Sequence, residues 1–173
     1  MKILLSSILV IVLMLTNQAF SEQKIAFIDM DRVISTSISG SSILKQLTDL
    51  NNKNLKFLKV EEKKFQEKEA KLISQKHIIS ETDFNSKVNE LKSEIKNYNQ
   101  NRDKMINEFN KLKVDNTNNL LKLINPILLK FSDDKEISIV LQKKDLVVAK
   151  TELDITEDII KIVNAEIKEI KIK

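Results

Sequence analysis

The chain has 173 residues, with 29 basic and 25 acidic side chains and a formal net charge of +4. It has no cysteine and one histidine, which excludes disulfides, thiolate catalysis and thiolate metal sites. Basic and acidic residues are interleaved, as on a solvated helical face, whereas a nucleic-acid site would need a basic stripe with stacking aromatics.

The first 21 residues have the pattern of a signal peptide. Lys2 precedes an apolar run, residues 3–15, that is shorter than the roughly 20 residues needed to span a bilayer as a helix. Small residues in Ala19-Phe20-Ser21 then predict cleavage before Glu22. We therefore expect a protein exported to the periplasm, with a retained membrane anchor as the alternative.

A short strand and a cap-rich segment open the mature chain. The β-branched and apolar residues of 24–30 predict a strand. Turn- and cap-forming residues follow, namely Asp29, Asp31, Ser35, Ser37 and Ser39. Gly40 precedes a long helix that Ser41 or Ser42 can cap.

Residues 46–130 are predicted to form a helical hairpin, because no glycine or proline lies between Gly40 and Pro126. The first arm spans some 35 residues, on the order of 50 Å. Its apolar side is Ile43, Leu47, Leu50, Leu58, Phe65 and Leu72, with Asn54 and Glu61 interrupting it. A break is expected near 74–80, where Ser80 with Asp83 resembles a capping box. The second arm then runs from about Glu81 to Phe131.

The second arm carries a ladder whose steps alternate between four and three residues, which indicates coiled-coil packing. Its members are Phe84, Val88, Leu91, Ile95, Tyr98, Arg102, Met105, Phe109, Leu112, Asn116, Asn119 and Leu123. We interpret the polar members Arg102, Asn116 and Asn119 as residues that set helix register.

The chain after the arms is predicted to return to a small body. Pro126 should kink the second arm, and residues 132–135 should form a turn. Strands at 137–141 and 146–149 are expected to form a β-hairpin around Gln142-Lys143-Lys144-Asp145. Asp154 should cap a last helix, from Ile155 to about Ile170, with Glu157 at the capping-box position.

The predicted fold class is α+β and mostly α. A long antiparallel coiled-coil hairpin, or tentacle, projects from a small β body formed by residues 22–45 and 131–173. Three strands and two short helices cannot cover their own apolar faces and strand edges. We therefore expect a homo-oligomer.

The order of these elements resembles the Skp/OmpH family of periplasmic chaperones. The resemblance rests on the opening Lys24-Ile25-Ala26-Phe27-Ile28-Asp29-Met30-Asp31-Arg32-Val33, on Ser37-Ile38-Ser39-Gly40, on Ile139-Val140-Leu141 and on Asp154-Ile155-Thr156-Glu157-Asp158-Ile159. It implies a homotrimer in which strands of three chains form a β-barrel. The three hairpins would enclose a cavity that holds unfolded outer-membrane proteins.

Two features depart from the family pattern. The glycine often found in the turn before the second strand is replaced by Ser132-Asp133-Asp134, and Pro126 interrupts the second arm. Contact with the membrane surface or lipopolysaccharide, proposed for relatives, is a further expectation to which no residue of this chain can be assigned.

The function that follows is an ATP-independent holdase, since the chain has no glycine-rich phosphate loop. Client binding is expected on a diffuse arm surface, with Val60 and Val114 as weak candidates for client contact. The alternative is an exported coiled-coil structural or adaptor protein with one dedicated envelope partner.

Enzyme chemistry finds little support in the residues. His77, near the hairpin tip, stands alone and forms neither a metal site nor a triad. The pairs Asp29–Asp31 and Asp133–Asp134 lie at predicted element ends, where aspartate is a cap or turn former. We predict no catalytic residue, no cofactor, no metal and no nucleic-acid partner.

Overall fold

A computed structural model describes residues 23–172, so the predicted signal peptide and the cleavage before Glu22 lie outside the described residues. The helices and strands, in chain order, are β1 (Lys24–Ile28), α1 (Met30–Thr36), α2 (Ile38–Gln75), α3 (Glu81–Asp134), β2 (Ile137–Gln142) and α4 (Thr156–Glu166). Within this described part of the chain, no helix is both long enough and apolar enough to cross a membrane.

The strands β1 and β2 pair in parallel, with Ile25 opposite Ile139 and Phe27 opposite Leu141. On the other edge of β1, Phe27 forms a bridge with Asp154. The predicted β-hairpin is therefore wrong: residues 143–145 form a 3₁₀ turn and residues 146–149 leave the sheet. The Leu146 N–H donates to the Lys143 carbonyl at 3.1 Å and closes this turn, and β2 takes β1 as its neighbour instead.

The first strand is shorter than predicted because Asp29 begins a helix. Its carboxylate accepts a hydrogen bond from the Arg32 N–H at 2.9 Å and caps α1. Ser37 then caps α2 by accepting from the Gly40 N–H at 3.2 Å. The expected cap at Ser41 or Ser42 is wrong, because the buried Ser37 hydroxyl already satisfies the first turn.

Gly40 lies within the first turn of α2, where a side chain has no room. A Cβ at this position would lie 1.7 Å from the carbonyl oxygen of Ile34. The neighbouring Ser39 is fully buried, and among residues 23–172 its hydroxyl has no hydrogen-bond partner. The junction between α1 and α2 therefore has no room for a side chain at Gly40, and the buried hydroxyl of Ser39 adds no hydrogen bond to it.

These neighbours should respond to alanine in opposite directions. Gly40→Ala should lower the free energy of unfolding by about 2 kcal/mol or more, because backbone must move. Ser39→Ala should leave it unchanged or raise it by up to about 1 kcal/mol, because it removes a buried hydroxyl that lacks a partner. Urea unfolding of both variants provides the measurement, and equal destabilisation would contradict this view of the junction.

The arms are the long helices α2 and α3. With 38 residues, α2 is about 57 Å long at 1.5 Å per residue, and α3 has 54 residues. Residues 76–80 form the tip, where Ser80 accepts from the Asp83 N–H at 3.1 Å, which confirms the predicted cap. The helix α3 continues through Pro126, so this proline does not end it.

The predicted turn at 132–135 is wrong for its first residues, since α3 extends to Asp134. The chain instead turns at Lys135 and Glu136, and Glu136 takes a left-handed φ of 56°. The Lys24 ammonium lies 2.8 Å from the Glu136 carboxylate; this hydrogen bond and charge lower the pKa of the exposed Glu136. The side chain at this left-handed position is thus paired with a lysine at the start of β1.

The ladder of the second arm follows the prediction as far as Asn116 and then departs from it. Beyond that residue the buried positions are Leu120, Ile124 and Ile127, whereas Asn119 and Leu123 are exposed. Placing Asn119 on the seam was therefore wrong. The buried positions from Asn116 follow at steps of four, four and three residues. Because a helical turn is 3.6 residues, the two successive steps of four rotate the buried face around the helix, away from the predicted ladder.

The apolar core lies where the arm roots meet the body. Its buried members are Ala26, Ile28, Val33, Ile43, Leu47, Leu120, Ile124, Ile127, Ile155, Ile159, Ile160 and Val163. The last helix, α4, is joined to this region by the Asp29 N–H, which donates to Thr156 Oγ1 at 2.9 Å, and by the Ile38 N–H, which donates to Asn164 Oδ1 at 2.7 Å.

The last helix differs from its predicted bounds at both ends. The Asp154 carboxylate accepts from the Thr156 N–H at 2.9 Å, but Ile155 occupies the cap position and the helix begins at Thr156. It ends at Glu166 rather than near Ile170, and residues 167–172 continue without regular structure. Glu157 forms an ion pair with Arg32 rather than a capping box.

Candidate client-binding surface of the arms

Specific side-chain contacts join the two arms near the middle of their seam. The rings of Phe65 and Tyr98 pack edge to face with centroids 5.3 Å apart, a favourable geometry for aromatic pairs. The Tyr98 hydroxyl donates to Glu62 at 2.9 Å, and the Lys68 ammonium lies 2.7 Å from Glu94. Burial and the Glu62 hydrogen bond raise the pKa of Tyr98. Together these contacts fix an antiparallel register.

The outer part of this seam is not fully covered. The buried residues of α2 end at Leu47, and those of α3 begin at Asn116. Between them the apolar ladder, including Leu58, Leu91 and Met105, is only half-buried. Two helices alone cannot enclose such side chains, so the outer hairpin keeps apolar surface within reach of another molecule.

Two clefts open on opposite sides of the hairpin near its tip. Leu72 and Leu91 line both clefts and so form the wall between them. The first cleft, of about 220 Å³, is lined by charged and polar residues, which are Lys68, Lys71, Gln75, Lys87, Glu90 and Glu94. The second, of about 240 Å³, is lined mainly by Ile73, Phe84, Val88 and Ile95. Near its tip the hairpin therefore has a charged flank and an apolar flank.

The apolar flank continues along both arms. Leu55 lies 18 residues before Ile73 on α2, which is five helical turns, so the two residues share a face. Ile106 follows Ile95 on α3 by 11 residues, which is close to three turns. We define the apolar flank as the cleft residues Ile73, Phe84, Val88 and Ile95 together with Leu55 and Ile106.

The two residues proposed from the sequence lie elsewhere. Val60 and Val114 are exposed, as expected of the outer side of the ladders, and neither lines either of the two tip clefts. Sequence reasoning missed the apolar flank because Leu55, Ile73 and Ile106 fall outside the regular ladder. Their spacing by whole turns is the signal that could have found them.

Residues set aside as enzyme groups occupy structural positions. His77 is exposed in the tip turn, Asp29 caps α1, and Asp133 and Asp134 lie in the last turn of α3. Of the register residues, Asn116 is buried and donates to the Leu112 carbonyl at 2.7 Å, and Arg102 is half-buried beside Asp103. In residues 23–172, no three His, Cys, Asp or Glu side chains are grouped as metal ligands.

Comparison with known proteins decides the family. The model of a family described as outer membrane protein (OmpH-like) matches residues 24–163, which is most of the chain. The chain belongs to the OmpH-like family. The match spans β1, both arms, β2 and most of α4, so the OmpH-like resemblance of the sequence is confirmed.

A solved structure has the same fold. A crystal structure of a protein from Caulobacter crescentus CB15, assigned as an OmpH-like outer membrane chaperone, superposes with a TM-score of 0.80. The two are 14% identical, and the alignment covers 88% of this chain and 90% of the other. No curated protein matches the sequence significantly. The OmpH-like family supports a chaperone-type function without enzymatic activity, so this chain is not an enzyme.

Proposed function

We propose that this OmpH-like chain is an ATP-independent periplasmic holdase. It binds unfolded outer-membrane proteins in a cavity between helical arms and delivers them for membrane assembly. One observation carries the proposal: the outer hairpin leaves its apolar ladder half-buried, and near the tip it opens a mainly apolar cleft on one flank. Family membership is a second, independent support.

The physical chemistry of this surface suits reversible capture. Burial of apolar surface is worth about 25 cal/mol per Å², so scattered side chains such as Ile73 and Ile106 each contribute little. Many such contacts hold a flexible client, and each can be released without nucleotide hydrolysis. The charged flank keeps the arms solvated and attracts charged segments over longer range.

The holdase reading requires export and self-assembly. We expect intact-mass measurement of the envelope protein to give a chain beginning at Glu22; retention of residues 1–21 would contradict export with cleavage.

Self-association is supported by the body, which has a sheet of two strands and exposed Val147 and Val148 beside it. A homotrimer with a shared barrel is the assembly that the family resemblance implies.

Paired substitutions test the apolar flank. Ile73 and Ile106 are 64% and 46% exposed, and the control residues Val60 and Val114 are 47% and 55% exposed. Changing both Ile73 and Ile106 to serine should weaken client binding about tenfold, because each loses a contact worth about 0.7 kcal/mol, or about 1.4 kcal/mol together. The same change at Val60 and Val114 should leave binding within about twofold.

The measurement is suppression of aggregation of a urea-unfolded porin on dilution, without ATP, with circular dichroism as the check on folding. Equal loss in both pairs would reject the apolar flank as the client surface. If the unsubstituted protein ignores unfolded porins but binds one folded envelope protein tightly, the adaptor alternative replaces the holdase.

A further inference from the structure

The segment that follows α4 returns to the root of the first arm. Residues 167–172, which we call the tail, follow α4 and lie beyond the residues matched by the family model. Ile167, Ile170 and Ile172 are half-buried and pack against the core, whereas Lys168, Glu169 and Lys171 are exposed. The tail thus packs an apolar side against the core and leaves its charged residues in solvent.

A single side chain of α2 holds the backbone of this strip. Gln46 Nε2 donates to the Ile170 carbonyl at 2.7 Å, and the Ile172 N–H donates to Gln46 Oε1 at 3.2 Å. The Gln46 amide is itself oriented by Nε2 contacts to the carbonyl and the hydroxyl of Ser42, at 3.2 and 3.1 Å. The half-buried Gln46 therefore faces the tail in a fixed orientation.

The pattern of these bonds is that of strand addition. A neighbouring strand in a parallel sheet likewise bonds the carbonyl of one residue and the N–H two residues further on. The Gln46 amide reproduces one residue of such a neighbour, so it recognises extended backbone rather than a particular side chain. The three isoleucines add apolar contact beside it.

The Gln46 amide and the apolar surface beside it, which bind the tail, also suit an unfolded β-barrel protein. Strands of such proteins alternate apolar and polar residues and expose unpaired backbone until they enter the membrane. We propose that the Gln46 site is a subsite for extended client segments and that the tail occupies it as an internal competitor. This inference rests on the proposed holdase function and adds a specific contact at the arm root.

A competitor attached to the same chain leaves the site free for only part of the time. The apparent Kd of another segment for the site then equals its intrinsic Kd divided by that free fraction. If the tail is seated nine-tenths of the time, the apparent Kd of a competing segment rises about tenfold. Removal of residues 167–173 should restore that factor, while client contacts along the outer arms stay unchanged.

The binding test uses a fluorescent peptide with the sequence of residues 167–173. The shortened chain should bind this peptide about tenfold more tightly than the full chain does. A peptide methylated on the nitrogen corresponding to Ile172 lacks the donor to Gln46 and should bind about tenfold more weakly. Gln46→Leu in the shortened chain should abolish the difference between the two peptides. A folded shortened chain that binds both peptides equally would overturn the proposal.

A second measurement keeps the chain complete and does not depend on the folding of the shortened form. The sequence has no cysteine, so Lys171→Cys provides a unique site for a spin label on an exposed tail residue. Addition of unfolded porin should change the label from an immobile to a mobile spectrum. If the porin stays soluble while the spectrum is unchanged, the competitor proposal is wrong and the holdase stands. If the porin aggregates, the holdase and the competitor proposal both fail.

Discussion

A chain that lacks residues 55–108, with Asn54 joined to Phe109 by a short Gly-Ser turn, should keep its folded body and lose protection of clients. The deletion removes Leu55, Ile73 and Ile106 with both tip clefts. It retains every buried residue of the arm helices, which are Ser39, Gly40, Ile43, Leu47, Asn116, Leu120, Ile124 and Ile127. Because the core lies at the arm roots, its stability should be little affected.

Thermal unfolding by circular dichroism and aggregation of an unfolded porin measure these two outcomes separately. We expect a cooperative transition together with a loss of protection of at least about tenfold, equivalent to about 1.4 kcal/mol of binding. A truncated protein that protects as well as the full chain would reject the arm mechanism. A folded but monomeric truncated protein would instead contradict assembly through the body.

Replacing Val147 and Val148 by aspartate should dissociate the assembled protein. These valines are 100% and 88% exposed in a single chain, in a β-branched segment that the sequence predicted as a strand. Two apolar residues so exposed beside a two-stranded sheet are expected to pack against another copy. Burying a charge there costs several kcal/mol, so association should weaken by about a hundredfold or more.

Light-scattering mass as a function of concentration measures this effect. Aspartate at Val60 and Val114, on the exposed side of the arms, is the matched control and should leave the mass unchanged. If the Val147/Val148 variant keeps the mass of the unsubstituted protein at low concentration, residues 146–149 do not hold the copies together.

The long helices could be predicted because their signals are local. The absence of glycine and proline, the cap at Ser80 and the apolar ladder each depend on neighbours within one or two turns. The ladder failed at Asn119 because the second arm there faces the body rather than the first arm. The prediction of a helix cap at Ser41 or Ser42 was wrong for a related reason. The helix α1 ends at Thr36, so Ser37 caps α2, which begins four residues before Ser42.

Features that depend on distant contacts were harder to predict. The parallel pairing of β1 with β2 joins residues more than 110 positions apart, and a β-hairpin is the more local alternative for 137–149. Ile167 and Ile170 have helical spacing, which favoured a longer last helix. The helix nevertheless ends at Glu166, and Gln46, 124 positions from Ile170 in sequence, bonds the tail backbone.

The candidate site was predicted only as a diffuse arm surface. Interleaved charge and a half-exposed ladder were visible in the sequence, but the difference between the two flanks depends on how α2 and α3 face each other. Leu72 and Leu91 place Ile73 and Ile95 on one side and Lys71 and Glu90 on the other. That register is fixed by Phe65 with Tyr98 and by Lys68 with Glu94.

Light-scattering mass of the mature protein, alone and after mixing with a urea-unfolded porin in the absence of ATP, tests the holdase proposal most directly. We predict three chains alone and three chains with one soluble porin after mixing. Raised salt should slow capture without abolishing it, because exposed charges are screened beyond about 10 Å at 0.1 M whereas apolar contacts persist. A single chain in solution, or an unchanged mass beside precipitated porin, would contradict the proposal.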